Sequence, residues 1–280
     1  MCVNKNDMST ESDPAVFYVD PDGPESENEF NFIAEAFDHM WNAYTTFKLS
    51  IGEHELDEIK LVDVERLGQV NLVIESDCDP CTERAVIKLV TTHAKFPELT
   101  SLTLKNVVID GSLALNNYCE DDLCKYCPYF ISSDGVYYDD KGNEIGDINL
   151  YNVDDCKDKE EPLIVGEYPV KIENCLIKEY RQTQKGFIDI LNSDLTLINT
   201  DFFNVRADTD EQKTAFIAVE CDGVCKTNKV EIEGGSVSYS NNGYEYIVGM
   251  KQYKFLKVKE LMSVAIKGCL LYTSPSPRDS

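Results

Sequence analysis

The sequence contains few of the residues that most often carry catalysis or bind metals. It has three histidines, His39, His54 and His93, and no two of them have the spacing of a His-x-x-x-His metal pair. The sequence also lacks a Gly-x-Ser-x-Gly nucleophile motif and a glycine-rich phosphate loop. A lone histidine at a helix or strand edge is more often a polar surface residue than a base. The sequence therefore shows no recognisable catalytic centre.

Long apolar runs and an excess of basic residues are also absent. No run approaches the ~20 apolar residues of a membrane-spanning helix, although 42% of the residues are hydrophobic and suffice for a core. The 26 basic and 51 acidic residues give a net charge of −25, which repels a polyphosphate backbone. We therefore expect no membrane span and no nucleic-acid partner. The alternating acidic residues are interpreted as a solvated outer surface.

A signal peptide is not visible, because residues 1–16 have no cationic start followed by an apolar core. Residues 1–15 are polar and are predicted to be disordered. The 11 cysteines are nevertheless many for a reducing compartment and favour a secreted or cell-surface protein. Either Met1 is not the true start or the protein is not exported.

The sequence does contain a repeated phrase in which apolar and polar residues alternate up to an asparagine or glycine. It occurs at residues 102–109, 148–153, 170–177, 195–202, 230–237 and, as a fragment, 264–268. Asparagine and glycine adopt the left-handed backbone conformation most cheaply, so the chain can turn a corner there and begin another inward face. The corner residues 106, 152, 174, 199, 234 and 268 are separated by 46, 22, 25, 35 and 34 residues. A basic step in the low twenties, enlarged by insertions, predicts a coil of short parallel strands.

The Ile-x-Asn-Cys-x-Ile phrase at 172–177 resembles a rung of the right-handed parallel β-helices of the pectin-lyase-like group, in particular the polymorphic outer-membrane and surface repeat type. The resemblance implies an all-β, right-handed parallel β-helix over residues 16–268. The expected inward ladder comprises Leu104, Leu150, Ile172, Leu197, Ile232 and Ile266. Such a resemblance specifies architecture better than function, because one fold hosts many activities.

An amphipathic helix is predicted over residues 26–44, ahead of the coil. Ser26 stands three residues before Glu29, which is the spacing of a capping box. The apolar residues at helical spacing are Phe30, Ile33, Phe37, Met40, Trp41 and Tyr44. We interpret this helix as a cap, because the end of a coil exposes a strand edge and an apolar core. The order of strand, turn, helix and first rung is similar to the opening of the same family.

The cysteines leave several alternatives open. Cys78 and Cys81 form a Cys-x-x-Cys pair that is half of a metal site, a redox pair or a staple of a corner. A zinc site would need further ligands from a second set, Cys119, Cys124 and Cys127, of which Cys124 and Cys127 are the candidates. This set lies in a cysteine-rich insertion at 116–146. We place disulfides or buried thiols ahead of zinc.

The same insertion contains a predicted β-hairpin over residues 134–146, around the turn at Gly142. Its acidic residues do not have the spacing of a calcium-binding loop. We therefore expect no cofactor and leave open only a loosely bound Ca²⁺.

The last residues, 269–280, differ in composition from the rest of the chain. They resemble the translation of a transposase-type sequencing adapter, and we set them aside as an artefactual tail. We therefore expect the natural protein to continue beyond Gly268.

Three functions remain in view. The leading hypothesis is a non-catalytic surface or secreted protein that recognises a protein or carbohydrate. The second is a polysaccharide lyase or glycoside hydrolase, which requires carboxylates and a base that converge on one groove. Its candidate residues are Asp189, Asp194, Asp201, Arg181 and Arg206. The third is an intracellular scaffold, which is expected if the cysteines are reduced.

Overall fold

Short parallel strands make up most of the chain and stack into parallel sheets. The structure is a computed structural model, and it describes residues 9–24, 26–40, 42–56, 69–90, 94–113, 130–131, 137–138, 144–145, 162–182, 186–207, 215–222, 228–238, 255–259, 263–268 and 270–271. Three of the sheets are built from strands that the chain visits in rotation, and we name them sheets A, B and C. A stack of parallel sheets of this kind is compatible with a parallel β solenoid.

Counted over the described residues, sheets A, B and C have nine, seven and four strands. The strands of sheet A are β1 (Ala15–Val19), β2 (Glu29–Phe30), β3 (Tyr44–Leu49), β5 (Asn71–Ser76), β7 (Ser101–Lys105), β13 (Val170–Glu173), β17 (Leu195–Ile198), β21 (Lys229–Glu233) and β24 (Ser263–Lys267). Sheet B has seven: β4 (Glu53–Leu56), β6 (Val86–Leu89), β8 (Val108–Asp110), β14 (Leu176–Lys178), β18 (Asp201–Phe203), β22 (Ser236–Ser238) and β25 (Leu270–Leu271). Sheet C has four: β12 (Ile164–Gly166), β16 (Ile188–Leu191), β20 (Ile217–Glu220) and β23 (Leu256–Lys259).

Two smaller sheets accompany them. The strands β15 (Arg181–Gln182) and β19 (Arg206–Ala207) pair in parallel. The strands β9 (Phe130–Ile131), β10 (Tyr137–Tyr138) and β11 (Glu144–Ile145) form an antiparallel sheet. Because β10 pairs with β11 in antiparallel fashion, the predicted hairpin at 134–146 is confirmed for its strands.

The predicted corners are confirmed wherever they fall on described residues. The corner residues with a left-handed backbone are Asn106, Asn174, Asn199, Gly234 and Gly268, with φ of 54°, 52°, 46°, 68° and 64°. At two successive corners the side chains also bond to each other, because the Asn199 amide donates to the Asn174 amide oxygen at 3.2 Å. A second set of corners, at Glu179 and Asn204, is left-handed as well and was not predicted.

The inward ladder of sheet A lies in the expected register. The paired residues are Leu104, Ile172, Leu197, Ile232 and Ile266. The first four are buried, whereas Ile266 is 57% exposed because β24 is the last strand of sheet A in the described part of the chain. Leu104 pairs directly with Ile172, so no strand stands between β7 and β13 in sheet A. The predicted rung at 148–153, with Leu150, lies outside the described residues.

The predicted cap helix is shorter than residues 26–44. The helix α1 spans Ile33–His39, while Glu29 and Phe30 pair with β1 as the edge strand of sheet A. Tyr44 opens β3 rather than closing the helix, and Trp41 lies outside the described residues. Edge pairing of β2 removes residues 26–30 from the helix. The capping carboxylate is therefore not Glu29 but Glu35, which accepts the Phe32 N–H at 3.3 Å.

The position of α1 agrees with its role as a cover for the apolar interior. Its buried residues are Ile33, Ala36 and Phe37. The Phe37 ring packs edge-on against Phe47 of β3 at 5.2 Å between centroids. Aromatic stacking continues between the sheets, where the rings of Phe187, Phe216 and Phe255 lie on successive passes of the chain, at 5.5 and 5.8 Å between centroids. These rings supply large buried apolar areas at low conformational cost.

Two predictions for the termini need comment. Residues 9–13 belong to the segment 1–15 that was predicted to be disordered, but they make defined contacts. The Ser9 hydroxyl accepts the Tyr44 N–H at 3.1 Å, and residues 10–13 form a turn. At the other end, β25 pairs with β22 inside the segment set aside as an adapter. Backbone pairing needs no particular side chain, so this pairing does not test the origin of the segment.

The register can be tested with two neighbouring substitutions. Ile172→Asp places a carboxylate at a position that is 0% exposed, so it should cost about 4 kcal/mol or more of the free energy of unfolding. Lys171→Asp changes an outward residue that pairs with Glu173 at 2.6 Å, so it should cost at most about 1 kcal/mol. Urea denaturation measures both. Equal losses would refute the inward and outward assignment.

The corner geometry can be tested at Asn174. Asn174→Ala and Asn174→Gly both remove the hydrogen bond from Asn199, but only alanine is strained at a φ of 52°. The alanine variant should therefore be less stable than the glycine variant by about 1 kcal/mol. Urea denaturation midpoints measure the difference. A glycine variant that is as unstable as the alanine variant would show that the left-handed conformation is not required.

Candidate functional site

The three aspartates proposed as catalytic residues lie in or beside strands of three different sheets. Asp189 is exposed in β16 of sheet C, Asp194 precedes β17 of sheet A, and Asp201 opens β18 of sheet B. Two of them are held by the next pass of the chain. Asp194 accepts the Lys229 N–H at 2.8 Å, and Asp201 accepts the Ser236 hydroxyl at 2.7 Å. These two carboxylates therefore link successive passes.

The two arginines of the same proposal are brought next to each other. Arg181 of β15 and Arg206 of β19 are direct partners in the register of their two-stranded sheet. They follow the second set of corners, in which the Asn204 amide donates to the Glu179 carboxylate at 2.9 Å. The backbone thus places two basic residues on successive passes of the chain, shortly after the strands β14 and β18 of sheet B.

Cys78 and Cys81 are joined in a disulfide. In this state neither sulfur is a thiolate, so the disulfide-bonded pair does not bind zinc, while a disulfide fits both the redox pair and the corner staple. The other candidates, Cys124 and Cys127, lie outside the described residues. Cys221 is also disulfide-bonded. The described residues contain no group of three or more His, Cys, Asp or Glu side chains that could hold a metal ion.

The disulfide closes a loop that replaces a tight corner between β5 and β6. Ser76 ends β5, and its hydroxyl accepts the Ala85 N–H at 2.8 Å and donates to the Asn106 carbonyl at 2.5 Å. A buried serine thus joins both sides of the loop to the next corner. The disulfide joins two half-buried residues of the loop that are three positions apart.

Cys175 is a free, buried thiol beside the Asn174 corner. Burial raises the pKa of Cys175 to about 11, although backbone groups and Arg84 oppose the rise. Its sulfur donates to the Glu173 carbonyl at 3.2 Å. A thiol in this state is a poor nucleophile, so Cys175 acts as a core residue of the corner.

A row of alternating charges runs along the outside of sheet A, and we name it row A. Its members, in register across four strands, are Lys48, Glu75, Lys105 and Glu173. Lys105 pairs with Glu75 at 3.1 Å, while Lys48 pairs with Asp77 at 3.3 Å. Neighbouring strands are about 4.8 Å apart, so opposite charges face each other along the stack.

A second alternating row lies on the outside of sheet B, and we name it row B. Its members, again in register, are Glu55, Lys88, Asp110 and Lys178. Lys178 pairs with Asp110 at 2.9 Å, and Lys88 pairs with the nearby Glu53 at 2.6 Å. An exposed pair such as Lys88–Glu53 stabilises a fold by only about 0–1 kcal/mol, whereas the Asp110 side chain is only 7% exposed.

Asp110 is the most buried member of the two rows. Burial by itself would raise the pKa of Asp110, but hydrogen bonds from Ser112 and Lys178 outweigh it and hold the pKa below its usual value. The Ser112 N–H donates to the carboxylate at 3.0 Å. Row B is therefore anchored at an ionised aspartate that is fixed from two sides.

The rows were not identified from sequence, although a signal for row A exists. The residue just before each described corner of the repeated phrase is Lys105, Glu173, Ile198, Glu233 or Lys267. The charge at this position changes sign from Lys105 to Glu173 and from Glu233 to Lys267. These residues form a row only because their strands pair in register. The signal has meaning only after the register is known, because the phrase alone does not say which strands are neighbours.

Comparisons with protein-family models, with curated proteins and with solved structures find no match for this chain. Within the described residues, no helix is long and apolar enough to cross a membrane.

The ionised state of Asp110 gives a testable dependence on pH. Its pKa is lower in the folded chain than the ordinary 3.8, so its stabilising effect is present above that pH and disappears as the pH falls through the lowered value. Asp110→Asn should lower stability at pH 7 by about 1–3 kcal/mol, and the difference from the unmodified chain should shrink below pH 3.8. Urea denaturation across pH measures it.

The matched control is Glu55→Gln, an exposed position of the same row, which should change stability by at most about 0.5 kcal/mol. An Asp110→Asn variant with wild-type stability at pH 7 would contradict the role of Asp110 as an anchor of row B.

Proposed function

We propose that this chain is a non-catalytic recognition protein, built as a right-handed parallel β-helix of the pectin-lyase-like type, that binds a protein or carbohydrate through its outer faces. The observation that carries the proposal is the ordering of charged side chains in rows A and B. An enzyme of this fold needs a convergent acid and base, whereas a binding face needs side chains that are fixed before the ligand arrives.

The ion pairs support such preorganisation. Lys105 is held by Glu75 and Lys178 by Asp110, so each long side chain has already lost part of its conformational freedom in the absence of a ligand. A ligand that bridges several passes meets charges at the regular spacing of the strands. Recognition by such a face rests on matching the sign pattern, which provides specificity more than affinity.

The cysteines support a secreted or cell-surface location. The bond between Cys78 and Cys81 lies in a projecting loop, and both residues are only half-buried. A disulfide in this position persists in an oxidising compartment and is reduced in the cytosol. We therefore propose a site of action outside the cell, and an intracellular scaffold is the less favoured alternative.

A polysaccharide lyase or glycoside hydrolase is the second candidate function. The observation in its favour is the register of Arg181 with Arg206, because two basic residues on successive passes suit an acidic polysaccharide. The observation against it is that the carboxylates of Asp194 and Asp201 each accept a hydrogen bond from the next pass of the chain. Incubation with polygalacturonate, alginate and chondroitin, with and without Ca²⁺, tests this candidate. New reducing ends or unsaturated uronates would establish it and overturn the non-catalytic proposal.

Binding can be tested by a charge swap that retains the ion pair. The full chain is screened against a glycan array and an array of cell-surface ectodomains, and any ligand found is titrated against the double variant Glu75→Lys/Lys105→Glu. The variant keeps an opposite pair at these two positions but changes the order of charges along row A from Lys-Glu-Lys-Glu to Lys-Lys-Glu-Glu. We expect binding about tenfold weaker, which corresponds to 1.4 kcal/mol. The loss of stability should stay within about 1 kcal/mol for each new pair of like charges, at Lys48 and at Glu173.

The matched control is the swap Glu53→Lys/Lys88→Glu on sheet B, where the Lys88 ammonium lies 2.6 Å from the Glu53 carboxylate. A ligand of row A should bind this control normally, and a ligand of row B should show the opposite pattern. Binding that both swaps leave unchanged, at unchanged stability, would contradict recognition through the charged rows.

A further inference from the structure

His54 is buried between the stacked sheets, on β4, the first strand of sheet B. It is 1% exposed and occupies the inward position of β4, in register with Ile87 of β6. The same inward column continues through Ile109 and Ile177. A titratable ring therefore occupies a place that the next three strands of the sheet fill with isoleucine, and the proposed recognition function does not use it.

The hydrogen bonds of His54 define its protonation state. Its Nε2 lies 2.8 Å from the Ser50 carbonyl oxygen. A carbonyl only accepts hydrogen bonds, so Nε2 carries the proton and Nδ1 carries a lone pair. In the described part of the chain, this buried Nδ1 has no hydrogen-bond partner. A second proton at Nδ1 would thus create a buried cation whose N–H lacks an acceptor.

The surroundings of His54 supply little compensation for such a charge. The charged groups on the elements packed around it are Asp20 after β1, Glu53 and Glu55 on β4, Lys88 on β6, and Glu35, Asp38 and His39 on α1. Glu53 and Glu55 are exposed on the outward side of β4, and Lys88 pairs with Glu53. The residues that α1 buries are apolar.

Asp20 is the one charged group in the described residues whose field acts on the imidazole, and its carboxylate already accepts the Ser50 hydroxyl at 3.1 Å. Burial lowers the pKa of His54 below its ordinary value, and it outweighs the Ser50 carbonyl and Asp20, which both raise it. The neutral ring is therefore the form that fits the fold.

The place of His54 in the fold gives its titration a structural consequence. In the described part of the chain β4 is the edge strand of sheet B, and α1 packs against it. An edge strand is paired on one side only, so it separates at a lower cost than an internal strand. Loss of the contact would uncover the β4 edge together with the apolar side of α1.

We propose that α1 and β4 form an acid-sensitive cap, in which protonation of His54 at Nδ1 expels the ring from its inward position and opens the contact between the helix and the strand. The folded chain binds this proton less well than the unfolded chain, in which the pKa is near 6.5. The stability that the neutral ring provides is therefore complete above that pH and is lost as the pH falls toward the lowered value. This inference does not depend on the proposed recognition function.

Hydrogen exchange of the full chain, followed by mass spectrometry between pH 8 and pH 5, tests the proposal. After correction for the intrinsic rate, the amides of α1 and β4 should exchange about tenfold faster at the acid end for each unit of pH below the ordinary pKa, until the lowered pKa is reached. The amides of β17, far from the cap, provide the reference. The effect should reverse when the pH returns to 8.

Two variants at the same position and one control separate His54 from other titrating groups. His54→Gln keeps a donor for the Ser50 carbonyl and does not titrate, and His54→Leu matches the apolar neighbours. Either folded variant should lose the acid-specific acceleration. His39→Gln, an exposed position on α1 itself, should retain it.

Acceleration that persists in a folded His54 variant, or that disappears in His39→Gln, would overturn the proposal. So would the absence of acid-specific exchange in the unmodified chain. If neither His54 variant folds, an NMR titration of the imidazole in the unmodified chain decides the matter. A pKa below 6.5 supports the proposal, and one at or above 6.5 contradicts it.

Discussion

The structure depends on in-register pairing between parallel strands that belong to successive passes of the chain. Each pass must bring an inward residue onto the inward residue of the pass before it, as Ile172 does on Leu104 and Leu197 on Ile172. A shift of one residue would turn every inward side chain outward. The left-handed corners maintain this register because each ends one inward face and starts the next within two residues, as at Asn174. Burial of the ladder, at about 1.5–3 kcal/mol per large apolar side chain, follows from the register.

The same register produces the outer surface. Once the inward residues are stacked, the residues between them are stacked as well, and charges of opposite sign face each other along rows A and B. Corner and row are connected at Asn106 and Asn174, where the residue before the corner belongs to row A and the residue after it is buried. The disulfide loop between β5 and β6 interrupts one corner without breaking the rows on either side. A binding face and a stable interior are thus two sides of one repeated geometry.

The sequence predicted the features that depend on local chemistry. Corners at asparagine and glycine were correct because few residues tolerate a positive φ, and the alternation around them identified the inward ladder. Features that depend on distant partners were missed or wrong. The phrase at 148–153 fits a rung, but Leu104 pairs with Ile172, and alternation alone cannot say which strands are neighbours. The helix was predicted too long because Phe30 pairs with Val19, a contact between separate segments. The charge rows were missed for the same reason, and the corner at Glu179 carries no asparagine or glycine signal.

The most direct test of the account is the identity of the strands on both sides of Ile172. Solution NMR of the uniformly labelled chain reports it through nuclear Overhauser contacts between the backbone protons of adjacent parallel strands. The account predicts contacts from the strand of Ile172 to that of Leu104 on one side and to that of Leu197 on the other. Contacts from Ile172 to residues 148–152 in place of Leu104 would contradict it, because the passes would then be stacked in a different order and Glu173 would not face Lys105 in row A.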